Sequence, residues 1–310
     1  MTGVLRAGRP SRSTGGPEAV EPGGAGTRWR FRIAYDGTPF HGFAVQPGQV
    51  TVAGVLSEAL TRHTGVPVDL TCAGRTDRGV HAAGQVVHAD LPAPVAATLD
   101  ATALVRSCNR QLAPSVAVLD AGAAPDGFDA RRSALSRTYR YLVVDGPVPD
   151  PLLAGRTWHV PGPLDLRAMA AAADAVLGEQ DFRAFCRRVP GTDPGDPIPR
   201  RVLDARWSDR TAGAPLPPAS GRLLAFDIEA SSFCHQMVRS LVGTLVDVGL
   251  GRRRAADVTW ILRSGDRAHA AQPAPPGGLT LVSVRYPPGL GWDAPPAAGQ
   301  PGLPGPAGAP

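Results

Sequence analysis

Hydrophobic and polar positions alternate along this chain with a period that switches between that of a strand and that of a helix. Trp29–Tyr35 runs Trp-Arg-Phe-Arg-Ile-Ala-Tyr, the two-residue alternation of a strand buried on one face. Thr51–His63 places Val52, Val55, Leu56, Ala59 and Leu60 on one side at helical spacing and predicts an amphipathic helix. Val68–Cys72 and Gly84–Asp90 read as strands flanking a glycine-bounded loop, and Ser136–Val144 as a strand alternating around Tyr139 and Tyr141. Val202–Asp209 and Leu223–Ser231 predict an antiparallel pair across the Gly/Pro-rich stretch Ala212–Gly221, and Leu279–Tyr286 a last strand. Helices are expected over Leu99–Leu112, Leu164–Leu177, His235–Val248 and Ala255–Arg263.

Strands and helices do not alternate regularly, so the pattern argues against a doubly wound parallel sheet and for an α+β fold with a mostly antiparallel sheet. It divides into two α+β halves, residues 28–145 and 146–287. Residues 1–27 and 288–310, rich in Gly and Pro and without hydrophobic period, are expected to be disordered tails.

Composition sharpens this picture in two ways. The net charge is +5, and all 32 basic residues are arginine, with no lysine in the chain. Schiff-base chemistry and a Gly-Lys-Ser/Thr phosphate loop are therefore excluded, and any phosphate contact must use the bidentate guanidinium fork. Clusters at Arg131–Arg132, Arg187–Arg188, Arg200–Arg201 and Arg252–Arg254 fit either solvated faces or a phosphate-binding surface. Cys72, Cys108, Cys186 and Cys234 lie far apart with no Cys-x-x-Cys pair, so neither a zinc site nor a disulfide framework is expected. No apolar run approaches a membrane span, and the expectation is a soluble cytoplasmic protein with reduced thiols.

The densest chemistry is in Cys72–Ala82, which sets the Asp77 carboxylate between Arg75 and His81 in a loop bounded by Gly74 and Gly79. An ionised acid in such a loop suits nucleophilic attack; Thr-Asp-x-Gly is equally a common backbone turn. A metal site from Asp77, His81 and His88 is a third reading, weakened by the wide spacing of its histidines. Strand alternation puts Arg137, Tyr139 and Tyr141 on one face, a pattern suited to base stacking beside phosphate contacts or to an ordinary sheet tyrosine. Arg239 is a lone charge among Met237, Val238, Leu241 and Val242, either paired with a carboxylate or facing solvent.

Several ordered blocks carry a resemblance. Tyr35-Asp36-Gly37, Gly74-Arg75-Thr76-Asp77 with Gly79-Val80-His81-Ala82, and Tyr139-Arg140-Tyr141 resemble the opening motif, catalytic loop and substrate-tyrosine strand of the tRNA pseudouridine synthase A family. Gly178–Phe182 with Ala184-Phe185-Cys186, Phe233–Gly243, and Ala274-Pro275 with Gly278-Leu279 resemble its later blocks, so the likeness spans roughly residues 29–287. The resemblance implies the pseudouridine synthase fold, two α+β halves around a mostly antiparallel sheet with a basic cleft. It implies a homodimer that isomerises uridine to pseudouridine at positions 38, 39 and 40 of the tRNA anticodon arm, with no cofactor and no metal.

Carried onto this chain, Asp77 is the catalytic residue, acting on ribose C1′ or assisting loss of a ribose proton. Tyr139 contacts the target base, Arg239 pairs with Asp77, and Arg75 helps capture the flipped nucleotide. Phe43 and Ala44 stand where the family usually has Trp-Gln, Ala53 replaces a Gln, Gln180 a His, and Arg78 a more usual Ala. Those departures leave a second class of function open, a non-catalytic tRNA-binding chaperone on the same fold.

Overall fold

The computed structural model describes residues 26–292 apart from Val189, Pro190, Thr192 and Pro194, so nearly all of both expected tails lies outside the described residues. In chain order the first elements are β1 (Thr27–Tyr35), α1 (Val52–Thr64), β2 (Thr71–Cys72), β3 (His81–Leu91), α2 (Ala93–Thr98), α3 (Ala101–Leu112) and β4 (Val116–Ala123). Then come β5 (Ser136–Asp145), β6 (Trp158–Val160), α4 (Leu166–Asp174), β7 (Gly178–Asp181), β8 (Pro199–Asp209) and β9 (Arg222–Ala230). The chain closes with α5 (Met237–Gly249), α6 (Ala255–Ser264) and β10 (Leu279–Arg285).

The helices start where side chains satisfy their first free N–H groups. Thr51 caps α1, Asp100 caps α3 and Asp165 caps α4, each accepting from backbone nitrogens of the first turn. Gly65 and Gly265 end α1 and α6 in the left-handed conformation. Among the described residues no helix is long and apolar enough to cross a membrane.

Ten strands form one sheet in the order β4-β1-β3-β10-β5-β9-β8-β7, with β2 paired to β3 and β6 to β5. The α+β class with a mostly antiparallel sheet is therefore observed. The last strand sits in the middle: β10 runs parallel to β3 (Thr280 opposite His81) and antiparallel to β5 (Leu281 opposite Tyr139). β10 thus lies between the start of β3 and the Tyr139 segment of β5, and the loop that feeds β3 contains Asp77. β5, placed above in the first half, hydrogen-bonds to β10 and β9 and to none of the first four strands.

A single large core spans the sheet, from Phe31 and Leu56 on one side to Phe226 and Leu245 on the other. Alternation in β3 sends Val87 into this core and Val86 into a smaller cluster with Ala73, Phe128 and Tyr286. α5 is buried nearly all round, which explains its continuous apolar sequence. Gly243 permits the chain to cross it, because a Cβ there would lie 2.2 Å from the Gln272 carbonyl oxygen.

Three expectations need correction. The helix expected from His235 starts at Met237, because Gln236 has φ 64 and breaks the helical path, so Arg239 lies in the first turn. Cys186 and Cys234 form a disulfide with Cα atoms 5.7 Å apart, against the expectation of reduced thiols without a bridge. They are 48 residues apart in sequence, and only the tertiary fold brings the turn before α5 against the segment after β7. Finally, part of the expected C-terminal tail is held: Arg30 donates to the Leu290 and Gly291 carbonyls at 2.6 and 2.8 Å and stacks 4.4 Å from the Trp292 ring.

Candidate active site

The loop between β2 and β3 is pinned residue by residue. Buried Arg137 donates to the Ala73 carbonyl at 2.8 Å, and to the carbonyls of Arg131, Ala134 and Ser231. Gln85, fully buried in β3, donates to the Gly74 carbonyl at 2.6 Å. The Thr76 hydroxyl shares a 2.8 Å hydrogen bond with the Tyr35 hydroxyl, and the Phe43 N–H donates to the Thr76 carbonyl at 3.0 Å. These bonds leave Asp77 at the apex of a backbone whose path is set before any ligand arrives. Phe43, one of the departures from family pattern, therefore touches this loop through its backbone.

The far side of the loop is equally tight. Gly37 lies against Val80 so closely that a Cβ would stand 2.0 Å from the Val80 carbonyl oxygen, which requires glycine. The Gly37 N–H donates to His81 Nδ1 at 3.0 Å, and His81 Nε2 lies 3.1 and 3.0 Å from the Gly155 and Gly277 carbonyls. His81 is thus a buried connector between loops. His88 accepts from the Ala130 N–H at 3.0 Å on β3. In both histidines of the metal alternative Nδ1 accepts a backbone N–H, and His81 Nδ1 also lies 3.1 Å from Asp36 Oδ1. Among the described residues no three His, Cys, Asp or Glu side chains are grouped so as to hold a metal ion.

Asp77 faces two basic side chains. Arg239 Nη1 lies 3.6 Å from Oδ2 and His235 Nε2 lies 3.3 Å from Oδ1. The Asp77 and Arg239 side chains retain 28% and 15% of their accessible surface, enough for a ligand to reach the acid but little for water around the cation. Arg239 is bracketed: its Nε donates to the Ala274 carbonyl at 2.7 Å while the Ala274 N–H donates to the Arg239 carbonyl at 2.9 Å. That leaves Nη1 directed at the carboxylate.

Tyr139 is buried on β5, and Phe233 packs edge-on against it with ring centres 5.1 Å apart. A Cβ on Gly74 would be 3.9 Å from its hydroxyl, so the ring tip borders the Asp77 loop. Burial, with the neighbouring Tyr35 and Asp77 side chains adding to it, pushes the Tyr139 phenol well above the usual tyrosine value. It is a neutral hydroxyl at physiological pH, able to donate a hydrogen bond and ill suited to act as a phenolate base.

The fold therefore brings Asp77, Arg239 and Tyr139 together. Arg75 is exposed on the same loop, with no side-chain hydrogen bond or ion pair among the described residues. Sequence reasoning missed the roles of His235, Phe233 and Gln85, and it placed Arg137 beside phosphate contacts where the structure shows a buried strut bonded to backbone. The signal for Gln85 and Arg137 was a polar residue at a core-facing position of a strand. For His235 it was a ring-bearing base four residues before Arg239.

Residues 172–287 match the family model described as tRNA pseudouridine synthase. A relative from Frankia casuarinae named tRNA pseudouridine synthase A is 47% identical over 263 residues, covering 84% of this chain and 90% of its own. Namesakes from Methylobacterium radiotolerans and Mycobacterium leprae are each 41% identical over 84% of this chain, covering 99% and 90% of their own lengths. With the pinned acidic loop, the central β10 and this extent of identity, the chain belongs to the tRNA pseudouridine synthase A family.

Proposed function

We propose that this protein isomerises uridine to pseudouridine in tRNA, at positions 38, 39 and 40 of the anticodon arm, with Asp77 as the nucleophile. The observation that carries this reading is the Asp77 carboxylate held between Arg239 and His235 beside the neutral Tyr139. The target base leaves its stack, at a cost of a few kcal/mol, and enters this cleft. An Asp77 oxygen attacks ribose C1′ and the bond to base N1 breaks. The uracil turns, C5 bonds to C1′, and the carboxylate departs. N1 gains a proton and C5 loses one, so atoms balance without redox or an energy-rich cosubstrate. Tyr139 packs against the base, Arg239 and His235 hold the two carboxylate oxygens apart from competing partners, and Arg75 reaches toward the vacated stack.

Tritium release from tRNA labelled at uridine C5 tests this reading. Wild-type protein should release label, and Asp77→Asn should lower the rate by about 10³-fold or more with an unchanged fold. An Asp77→Asn variant as fast as an active wild type would remove Asp77 as the nucleophile, and tRNA binding with no release by wild type would favour the chaperone alternative. The family also suggests a homodimer in the cytoplasm. Light scattering should return twice the 32.1 kDa chain mass, and a monomer at micromolar concentration would count against it.

A further inference from the structure

Behind the turn that presents His235 lies a cavity of about 670 Å³ lined by four arginines, Arg183, Arg187, Arg188 and Arg267, together with Gln236 and Asp266. Its charge is not balanced from within. Arg187, Arg188 and Arg267 have no carboxylate partner among the described residues, and Asp266 is occupied in capping the Ala268 N–H at 2.8 Å. Arg183 pairs with Asp181 at 3.1 Å and lies flat on Gly265, where a Cβ would stand 2.0 Å from its Nε. Arg188 is stiffened by the Asp193 and Asp196 carbonyls. Arg267 makes only a 3.5 Å contact with the Ala184 carbonyl, and burial pushes its guanidinium below the usual value. Arg187 is exposed while Arg183, Arg188 and Arg267 are half-buried, so the guanidinium groups that face this one space are open to an incoming anion, which they can bind with charge-assisted hydrogen bonds.

The cavity is joined to the Asp77 site by backbone. Gln236 follows His235 directly, the Arg187 N–H donates to the His235 carbonyl at 2.8 Å, and the Cys186–Cys234 bridge ties the two lining segments together. Its volume is that of a nucleotide-sized ligand, larger than a lone phosphate needs. We propose that this cavity seats a phosphodiester of the RNA strand next to the uridine drawn into the cleft, with Arg187 and Arg267 as its principal ligands. The proposal rests on the tRNA reading above and assigns one place where the strand is gripped.

The test is an Arg187→Gln/Arg267→Gln variant of the full chain, assayed by tRNA filter binding across a salt series and by tritium release. Loss of phosphate contacts should weaken tRNA binding about tenfold and flatten the slope of log affinity against log salt by about 0.7 per contact. The defect should fall on KM more than on kcat. Gln236→Glu, which brings a negative charge to the rim, should weaken binding in the same direction and serves if the double variant unfolds. Unchanged affinity and salt slope in a folded variant would overturn the assignment. So would inorganic phosphate or pyrophosphate binding that the variant loses while its tRNA binding stays intact, since the ligand would then be a free anion. Wild-type protein that binds tRNA through this cavity without releasing tritium sinks the isomerase reading alone. Wild-type release with an unaffected variant sinks the cavity alone.

Discussion

Tyr139 and Asp77 border the same cleft under opposite constraints. The acid must remain available to a ligand; the phenol must remain neutral. Burial raises the folded phenol above its unfolded value, so its contribution to stability is complete below about pH 10 and is lost as pH rises past that toward the folded value. Tyr139→Phe keeps the ring against Phe233 and removes only the hydroxyl. It should leave the melting temperature within a few degrees, because the hydroxyl makes no hydrogen bond among the described residues, and slow tritium release by roughly 10- to 100-fold. The pH–rate profile of wild type should show no tyrosine limb below about pH 10; a limb abolished by Tyr139→Phe in the neutral range would refute a protonated phenol. His235→Gln, which keeps a polar group near Asp77 Oδ1 without the imidazole, should lower kcat by about tenfold with KM little changed. An unchanged kcat would show that the imidazole only packs there.

At the scale of elements, the acidic loop is positioned by side chains rooted in strands on both sides of it. Arg137 on β5 serves four backbone carbonyls from three separate stretches of chain. Arg137→Met removes all four donors at once, and each stranded buried acceptor costs about 1–3 kcal/mol where it cannot reach water. Partial relaxation should bring the total to about 3–5 kcal/mol, read as a lowered urea midpoint with unchanged slope. A change under about 1 kcal/mol would show that the carbonyls find other partners. Gly37→Ala tests the other wall, where a methyl cannot fit above Val80 without moving backbone. It should cost about 1–3 kcal/mol and depress tritium release further than stability alone explains, because the loop it displaces carries Asp77.

At the scale of the whole molecule, β10 closes the sheet between strands that are distant in sequence and so brings loop, tyrosine strand and α5 to one place. The Cys186–Cys234 bridge adds a covalent tie across 48 residues, worth about 2–4 kcal/mol when formed. Protein denatured without reductant should titrate two thiols, Cys72 and Cys108, and four after reduction; four in both cases would remove the bridge. In the native state Cys72 and Cys108 should resist alkylation, because both are buried and burial pushes each thiol up to about 11.

Local order was legible to the extent that it is local. Period-two alternation located β1, β5, β8 and β9, and helical spacing located α1 and α6, because a half-buried element must repeat its apolar positions at its own pitch. The edge strand β4 and the short β6 and β7 were missed. β4 and β7 are rich in small or polar residues and β6 is three residues long, so alternation carries little signal and pairing with a neighbour defines them instead. Asp77, Arg75, Tyr139 and Arg239 were legible as charges or aromatics in distinctive blocks, and their roles only through the resemblance of those blocks to a family. The backbone break at Gln236 was not legible, since a non-glycine residue at positive φ is imposed by the contacts around it.

The chain by itself thus determined its α+β class, its arginine-only chemistry and the acid at the centre of its loop, all properties of composition and short-range periodicity. Tertiary structure alone decided that the last strand lies in the middle of the sheet, that His235 joins Arg239 at Asp77, that two remote cysteines meet, and that four arginines share one cavity. Each of those depends on which surfaces pack together across tens of residues, and the energy of that packing is written in no single stretch of the sequence.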